Sequence, residues 1–258
     1  KSLLFNWKNF QGSNIISYAH TNIRFWDLRY FQSYFKNNIF KEYYPDKIFV
    51  NGPLARTNLL EAGFKQDKII ELEALRYEYL LNFKSKKRLI KNNFFECKSL
   101  NILMIGDINY YYNEYIIENI SFISKKLPFC KINVICKPHP FTQINKKHHP
   151  KIKLKLSNKK ISELAPKCDF AIISAFTGAL LDLLCLKIPT FVAVKNDRFN
   201  LCPIRNENGF KFIYSKEDFY QKITKDITFT NSPNSPNDFF CLNAEFINWI
   251  NYVKKSKN

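Results

Sequence analysis

From residue 100 onward the sequence alternates short apolar runs with longer segments of helical spacing, and this limits the fold more than any other feature. LNILMIGD (100–107), KINVICKPHP (131–140), KIKLKLS (151–157), FAIIS (170–174), PTFVAV (189–194) and GFKFIYS (209–215) read as strands. Between them, 112–126, 161–169, 176–188 and 216–223 read as helices, the last with Glu217 and Asp218 in its first turn, where the helix dipole favours acids. Strands that are apolar throughout and alternate with helices predict an α/β fold with a parallel sheet covered on both faces. Such sheets take ligands beyond the carboxyl ends of their strands. The loops after residues 107, 136, 174 and 194 are therefore the ones to inspect.

The same logic holds more weakly nearer the start. NIISYAH (14–20) reads as a short strand ending at His20, and 21–45 as an aromatic, irregular stretch of loop and helix. KIFVNG (47–52) is a strand, 53–62 a helix stopped by Gly63, and KIIELE (68–73) a strand, which together make a βαβ unit. Residues 82–99 are polar and rich in Lys and Asn, so they read as a linker. The expected organisation is a partial N-terminal Rossmann-like domain over 1–81, a linker over 82–99 and a C-terminal Rossmann-like domain over 100–258. Within the last, 231–238 reads as a Pro/Ser/Asn loop and 243–255 as a final helix. Lys1 is not an initiator Met, and a missing N-terminal part is expected.

Charge narrows the partners. The chain carries 40 Lys and Arg against 22 Asp and Glu, a formal net charge of +18. Residues 1–95 hold 16 basic against 8 acidic residues and 96–258 hold 24 against 14, so the excess is spread. With no aromatic RNP pattern, zinc finger or recognition helix, no nucleic-acid partner is expected. A diffuse positive field still favours anionic partners, among them nucleotide sugars and anionic lipid head groups. No apolar run reaches the ~18 residues of a membrane span, and residues 1–20 lack the pattern of a secretory signal. The seven cysteines (97, 130, 136, 168, 185, 202 and 241) include no CxxC pair, which fits reduced core thiols in a cytoplasmic protein and no metal site.

Two segments carry recognisable chemistry. Lys137-Pro138-His139-Pro140 follows a strand, and its prolines hold an ammonium and an imidazole donor in place, a pairing suited to a phosphate oxygen. It reads equally well as a surface turn. Ser174-Ala175-Phe176-Thr177-Gly178-Ala179 joins a buried strand to a helix. Ser174 and Thr177 offer hydroxyls, Gly178 permits close approach, and a helix N-terminus presents backbone N–H groups to an anion. The plainer reading is N-capping. Asp182, one turn on, is placed to meet a ribose hydroxyl or is simply a polar residue on an apolar helix. Both segments fall at the ligand edge of one predicted sheet, which points to a nucleotide or phosphate site. The patterns GxxxxGK[ST], GxGxxG and GxSxG are absent, which argues against a P-loop, a dinucleotide enzyme and an α/β-hydrolase. Nearer the start, His20 is a candidate for a general base or for acceptor binding and reads also as a structural residue, while Asp27 is a polar group beside a strand end that reads also as a helix cap. Glu73 and Arg76 are further polar groups beside strand ends, and His148-His149 reads as solvated surface.

KPHP followed some way on by a Ser/Thr-rich strand-to-helix turn resembles the C-terminal half of GT-B glycosyltransferases. It is most similar to the bacterial branch of CMP-sialic acid and Kdo transferases and CDP-glycerol polymer transferases. ISYAHTNIRFWDLRYF, PDKIFVNGPLARTNLLEAGF, KIIELEALRYEYL and FNLCPI resemble a narrower bacterial surface-carbohydrate biosynthesis family of the same fold, so the resemblance covers nearly the whole chain. It implies a GT-B-like fold of two Rossmann-like domains, the N-terminal one incomplete here. It also implies a metal-independent glycosyltransferase that moves a sugar, of sialic-acid or Kdo type, from a nucleotide donor to a surface glycan: lipopolysaccharide, O-antigen or capsule. The donor is expected to be CMP-linked and no further cofactor is expected; the acceptor is a glycan or glycolipid. Lys137, His139, Ser174 and Thr177, with Gly178 and Asp182, are the implied donor-binding residues, although family members often carry Glu in place of Asp182. His20 and Asp27 are the implied catalytic residues on the acceptor side. The implied location is cytoplasmic, with peripheral contact at an anionic membrane face. The alternatives are a CDP-glycerol-type polyol-phosphate transferase, or a non-catalytic protein that binds nucleotides or nucleic acid.

Overall fold

The computed structural model describes residues 14–30, 44–82, 98–144, 152–205, 207, 209–225, 229 and 235–255. The chain divides into two compact units, one of Lys1–Asn82 with Asn234–Asn258 and one of Phe83–Pro233. The division by sequence placed the final residues in the second unit; here they belong to the first. Most of the expected linker, 83–97, lies outside the described residues, as do Cys97 and His148-His149.

In the first unit, β1 (Ile16–Ala19), β2 (Lys47–Val50) and β3 (Ile69–Glu71) pair in parallel in the order β1-β2-β3, with Tyr18 opposite Phe49 and Val50 opposite Glu71. Helix α1 (Pro53–Glu61) makes the crossover from β2 to β3. Its proline stands in the first turn, where a missing N–H has no effect. Gly63, with φ at 92°, ends it, and the Phe64 N–H returns to the Leu59 carbonyl at 3.0 Å. Ile48, Val50, Ala55, Leu59, Phe64 and Ile69 bury together on one face of the sheet. Strand alternation sends Phe49 to the other face. There it meets the rings of Trp249 and Tyr252 on helix α6 (Ile247–Lys255), with centroids 5.8 and 4.6 Å away.

Helix α6 is shorter than the expected 243–255. Asn243 takes the N–H of Glu245 on its side chain and that of Phe246 on its carbonyl, and Phe246 has a positive φ of 51°. A turn therefore precedes the helix. Its start is held by Glu73, whose carboxylate accepts the N–H of Asn248 at 2.8 Å and of Trp249 at 3.1 Å. The polar residue noted beside a strand end is thus a helix cap reached from far along the chain.

The second unit contains a six-stranded parallel sheet in the order β6-β5-β4-β7-β8-β9. Its strands are β4 (Ser99–Ile105), β5 (Lys131–Lys137), β6 (Lys153–Leu156), β7 (Phe170–Ser174), β8 (Thr190–Ala193) and β9 (Phe210–Ile213). The unit's first strand is central, its second and third lie on one side, and its fourth to sixth on the other. This is the doubly wound order, with its topological switch between β4 and β7. Helix α2 (Tyr110–Lys126) turns Ile116, Ile117, Ile120 and Ile123 into the core and ends in Lys125 and Lys126, as its dipole prefers. Helix α3 (Ile161–Leu164) is brief, and α5 (Lys216–Thr224) is capped by Ser215, whose side chain accepts the Asp218 N–H at 3.0 Å. Phe170, Phe191, Phe219 and Phe229 pack edge-to-face around one another. Helix α4 (Ala179–Cys185) is shorter than the expected 176–188, because residues 176–178 form a turn. Residues 236–238 of the expected final loop form one 3-10 turn. Cys130, Cys136, Cys168, Cys185 and Cys202 are buried, and Cys241 is half-buried. Among the described residues no helix is long and apolar enough to cross a membrane.

Candidate functional site

All six strands of the second sheet run in parallel, so the loops after β4, β5, β7 and β8 emerge on one edge. Both segments singled out in the sequence lie there. The loop after β4 joins them.

Gly106 follows β4 and lies against the KPHP loop. Its N–H donates to the Lys137 carbonyl at 2.8 Å. A Cβ at this position would stand 2.9 Å from the His139 nitrogen and 3.0 Å from the Pro138 Cα. Only the lack of a side chain lets the two backbones approach so closely. A second tie follows, with the Thr142 hydroxyl donating to the Ile108 carbonyl at 2.6 Å. The KPHP loop is therefore held by its neighbour as well as by its prolines.

Asp107 is 2% exposed and sits at the switch point. Its carboxylate accepts the hydroxyl of Ser174, the last residue of β7, which is 1% exposed. The same carboxylate accepts the Asn109 N–H at 2.7 Å. Buried Asn113 closes a reciprocal pair, accepting the Asp107 N–H at 2.7 Å and donating to the Asp107 carbonyl at 2.9 Å. Asn109 in turn caps α2 by accepting the Tyr111 N–H at 3.0 Å. One buried acid thus links the end of β4, the start of α2 and the turn after β7. The Tyr112 phenol beside it is pushed up from its ordinary pKa, first by burial and then by the Asp107 charge.

The expected donor-binding residues divide by what their polar atoms are already doing. The Ser174 hydroxyl proton is taken by Asp107, and its oxygen accepts the Phe176 N–H at 3.3 Å. Ser174 is therefore positioned to shape the turn. The Thr177 oxygen accepts the Ala179 N–H at 3.3 Å, which leaves its hydroxyl proton to donate outward. Gly178 caps α4 with φ at −74°, a value open to any residue. Asp182 is half-buried in the first turn of α4. The Lys137 ammonium donates to the carbonyls of Lys159 at 2.9 Å and Asn158 at 3.4 Å, so it ties β5 to the segment after β6 and keeps one N–H. His139 is half-buried, and its Nδ1 accepts the Phe141 N–H at 3.3 Å. In the neutral ring this puts the proton on Nε2, where no described residue meets it. His139 Nε2 and the Thr177 hydroxyl are thus two donors at this edge with their protons available to an anion.

His20 and Asp27 lie in the first unit. His20 is exposed just past the carboxyl end of β1. Asp27 is half-buried in a turn, its N–H on the Arg24 carbonyl at 3.0 Å and its carbonyl accepting the Tyr30 N–H at 2.9 Å. Among the described residues no three His, Cys, Asp or Glu side chains cluster as metal ligands. The reading of the sequence passed over Gly106, Asp107, Asn113 and Thr142. Gly106 and Asp107 had a visible signal, a Gly-Asp step straight after a buried strand at the ligand edge. Asn113 and Thr142 had none.

No protein-family model matches the chain, and no curated protein matches it. Solved structures do. The S. aureus MnaA structure with UDP is 16% identical and superposes with a TM-score of 0.57, covering 98% of this chain and 70% of that one. The Neisseria meningitidis UDP-GlcNAc 2-epimerase bound to UDP-GlcNAc is 15% identical at a TM-score of 0.53, covering 98% and 72%. HepE of Anabaena in complex with UDP-glucose is 12% identical at 0.52, covering 98% and 75%. At such identities the likeness speaks for the fold, which is α/β and GT-B-like with parallel sheets.

Proposed function

We propose that the chain is a glycosyltransferase that moves a sugar from a nucleotide donor to a bacterial surface glycan, and that the donor's phosphate binds at the carboxyl edge of the second sheet. The observation that carries this reading is the pair of available donors, His139 Nε2 and the Thr177 hydroxyl, on loops fixed to each other through Gly106 and Asp107. Fixed donors suit a leaving phosphate because they need no reorganisation as charge develops on it. Lys137, held at the same edge by backbone carbonyls, adds positive charge. Asp182 and Gly178 complete the donor-side set, Asp182 toward a ribose hydroxyl. In this mechanism the Lys137 charge and the two hydrogen-bond donors stabilise the departing nucleotide without a metal, and His20 or Asp27 deprotonates the acceptor hydroxyl. The bond from anomeric carbon to phosphate oxygen breaks as the bond to the acceptor oxygen forms.

The neighbours named above were solved with UDP or UDP-sugars, which supports a nucleotide sugar as the ligand class. For the base and sugar we propose a CMP-linked donor of sialic-acid or Kdo type, on the resemblance of the KPHP segment. UDP is the competing nucleotide. A CDP-glycerol-type transfer would use the same edge and differ in the group moved.

Thermal unfolding with CMP, CDP, UDP and GDP tests this. A ligand bound only by the native state raises the midpoint by mass action, about 2.7 kcal/mol at a hundred times its Kd. Selective stabilisation by CMP that is lost in His139→Ala supports the proposal. Selective response to UDP keeps the site and replaces the donor, and analysis of the products then separates transfer from epimerisation. Indifference to all four nucleotides overturns the reading.

A further inference from the structure

We infer that Arg198, on the loop after β8, binds a second anionic group of the donor, beyond the phosphate met by His139 and Thr177. The inference rests on the proposed nucleotide-sugar site and adds a residue to it. The end of β8 lies beside the turn after β7, whose Ala175 N–H donates to the Ala193 carbonyl at 3.0 Å. The loop therefore leaves the sheet at the same carboxyl edge, one strand over from Thr177. Its tip is a built turn. The Arg198 N–H donates to the Lys195 carbonyl at 3.0 Å. The Asn200 side chain accepts the N–H of buried Cys202 at 3.0 Å, which anchors the far end of the loop. Arg198 is exposed and so is Phe199, at 87%, so the tip stands open to a ligand.

The two carboxylates that share the surroundings of Arg198 are engaged elsewhere. The Tyr112 phenol, whose pKa is raised first by burial, also feels the charges of Asp107, Arg198 and Asp197, which groups all three around the start of α2. Asp197 pairs with Lys195 at 3.6 Å, and Asp107 is buried against Ser174 and the Asn109 N–H. The Arg198 side chain makes no hydrogen bond or ion pair with a described residue. Its guanidinium is always charged, and its planar fork of donors matches two oxygens of one carboxylate or phosphate. Along the edge, His139 follows β5, Asp107 follows β4, Thr177 follows β7 and Arg198 follows β8. A phosphate between His139 and Thr177 thus has the fork on its flank, where the rest of the donor extends. The proposed CMP-linked donor has one phosphate, so the fork takes the carboxylate of its sugar. A UDP or CDP donor would offer its other phosphate to the same fork.

Titration of the whole protein with CMP, CDP and CMP-sialic acid, and with UMP and UDP, tests the assignment. The wild type should bind CMP-sialic acid about tenfold more tightly than CMP, the effect of one charge-assisted fork, and the gain should shrink at high salt. Arg198→Gln should erase the gain while changing CMP affinity and the unliganded melting temperature little. Arg198→Lys, which keeps the charge but not the fork, should retain part of it. A gain found instead for CDP over CMP or UDP over UMP, and erased in the same way, supports the residue and names the second phosphate as its ligand. A gain that survives Arg198→Gln, or no gain in a wild type that binds the monophosphates, overturns the inference and leaves the donor site standing. Failure of the wild type to bind any of the five overturns the donor-site reading and this inference with it.

Discussion

Ser174 donates its hydroxyl proton to the Asp107 carboxylate, linking the end of β7 to the loop after β4, where the doubly wound sheet reverses direction. Both side chains are buried. A buried carboxylate that loses a donor retains its full desolvation penalty. Ser174→Ala should therefore cost about 1–3 kcal/mol, read by urea denaturation. If the fold tolerates the change at no cost, the Asn109 N–H alone satisfies the Asp107 carboxylate and the link to Ser174 is dispensable.

Gly106 makes the next prediction. Gly106→Ala puts a methyl group 2.9 Å from the His139 nitrogen and 3.0 Å from the Pro138 Cα, and neither is a flexible side-chain end that can swing away. The KPHP loop must shift. The expected cost is about 1–3 kcal/mol in stability, typical of overpacking. Nucleotide affinity should fall as well, because His139 moves with its backbone. A variant with wild-type stability would show that the two loops can part freely.

Much of this arrangement was legible in the sequence because buried parallel strands have a strong local signature. FAIIS and PTFVAV can hardly be anything else, and their parallel pairing places every carboxyl end on one edge. The loops after 107, 136, 174 and 194 follow from that. What a polar side chain does once it arrives there is a long-range matter. Ser174 reads as an anion donor until Asp107, 67 positions away, takes its proton. Glu73 reads as a loop acid until α6, 175 positions on, begins against it. The assignment of the last residues to the second domain failed for the same reason. Phe49, Tyr18 and Glu73 that receive α6 all lie in the first unit, and no local pattern in INWINYVKK names them.

Glu71, at the end of β3, has its pKa raised by burial, with Arg56 acting against the shift. A carboxyl whose folded pKa lies above its unfolded value holds its proton more readily in the native state. Ionisation therefore penalises the native state above the folded pKa, and the penalty fades as pH falls through that value toward the unfolded one. Glu71→Gln removes it. Because the group is half-exposed, solvent screening limits the gain to a few tenths of a kcal/mol, about 1 °C in Tm at pH 7. The gain should vanish in acid, below the ordinary carboxylate range. Arg56→Gln should enlarge the penalty at pH 7. Melting curves across pH check both, and a Glu71→Gln gain that persists in acid would assign the effect to packing.

The Cys241 thiol is pushed up by burial first and then by the negative charge of Glu71 and Glu73. Only the thiolate is nucleophilic, so this cysteine should alkylate slowly for its exposure. Iodoacetamide labelling followed by peptide mass analysis should show Cys241 reacting at least several-fold slower than glutathione at pH 8. In Glu71→Gln it should react faster, since one of the charges that holds the proton on sulfur is gone. Equal rates in the two proteins would mean that the Glu71 charge does not govern the thiol's reactivity.

Glu73 is the sharpest test of how α6 is held. Its carboxylate takes the N–H groups of the second and third residues of the helix, where an acid satisfies orphan donors and meets the positive end of the dipole. Glu73→Ala leaves both donors unmet in a part-buried place and should cost about 2–3 kcal/mol. Glu73→Gln keeps one oxygen but loses the charge, so it should cost roughly half as much. The indole of Trp249 donates to the Glu73 carbonyl, which both substitutions retain, so the ring should stay seated on Phe49. Hydrogen exchange across 247–255 separates cap from packing. Lost protection in the first turn with protection kept around Tyr252 is the expected pattern. Uniform loss along the helix would mean that the cap, rather than the aromatic contacts, docks α6 on the first sheet.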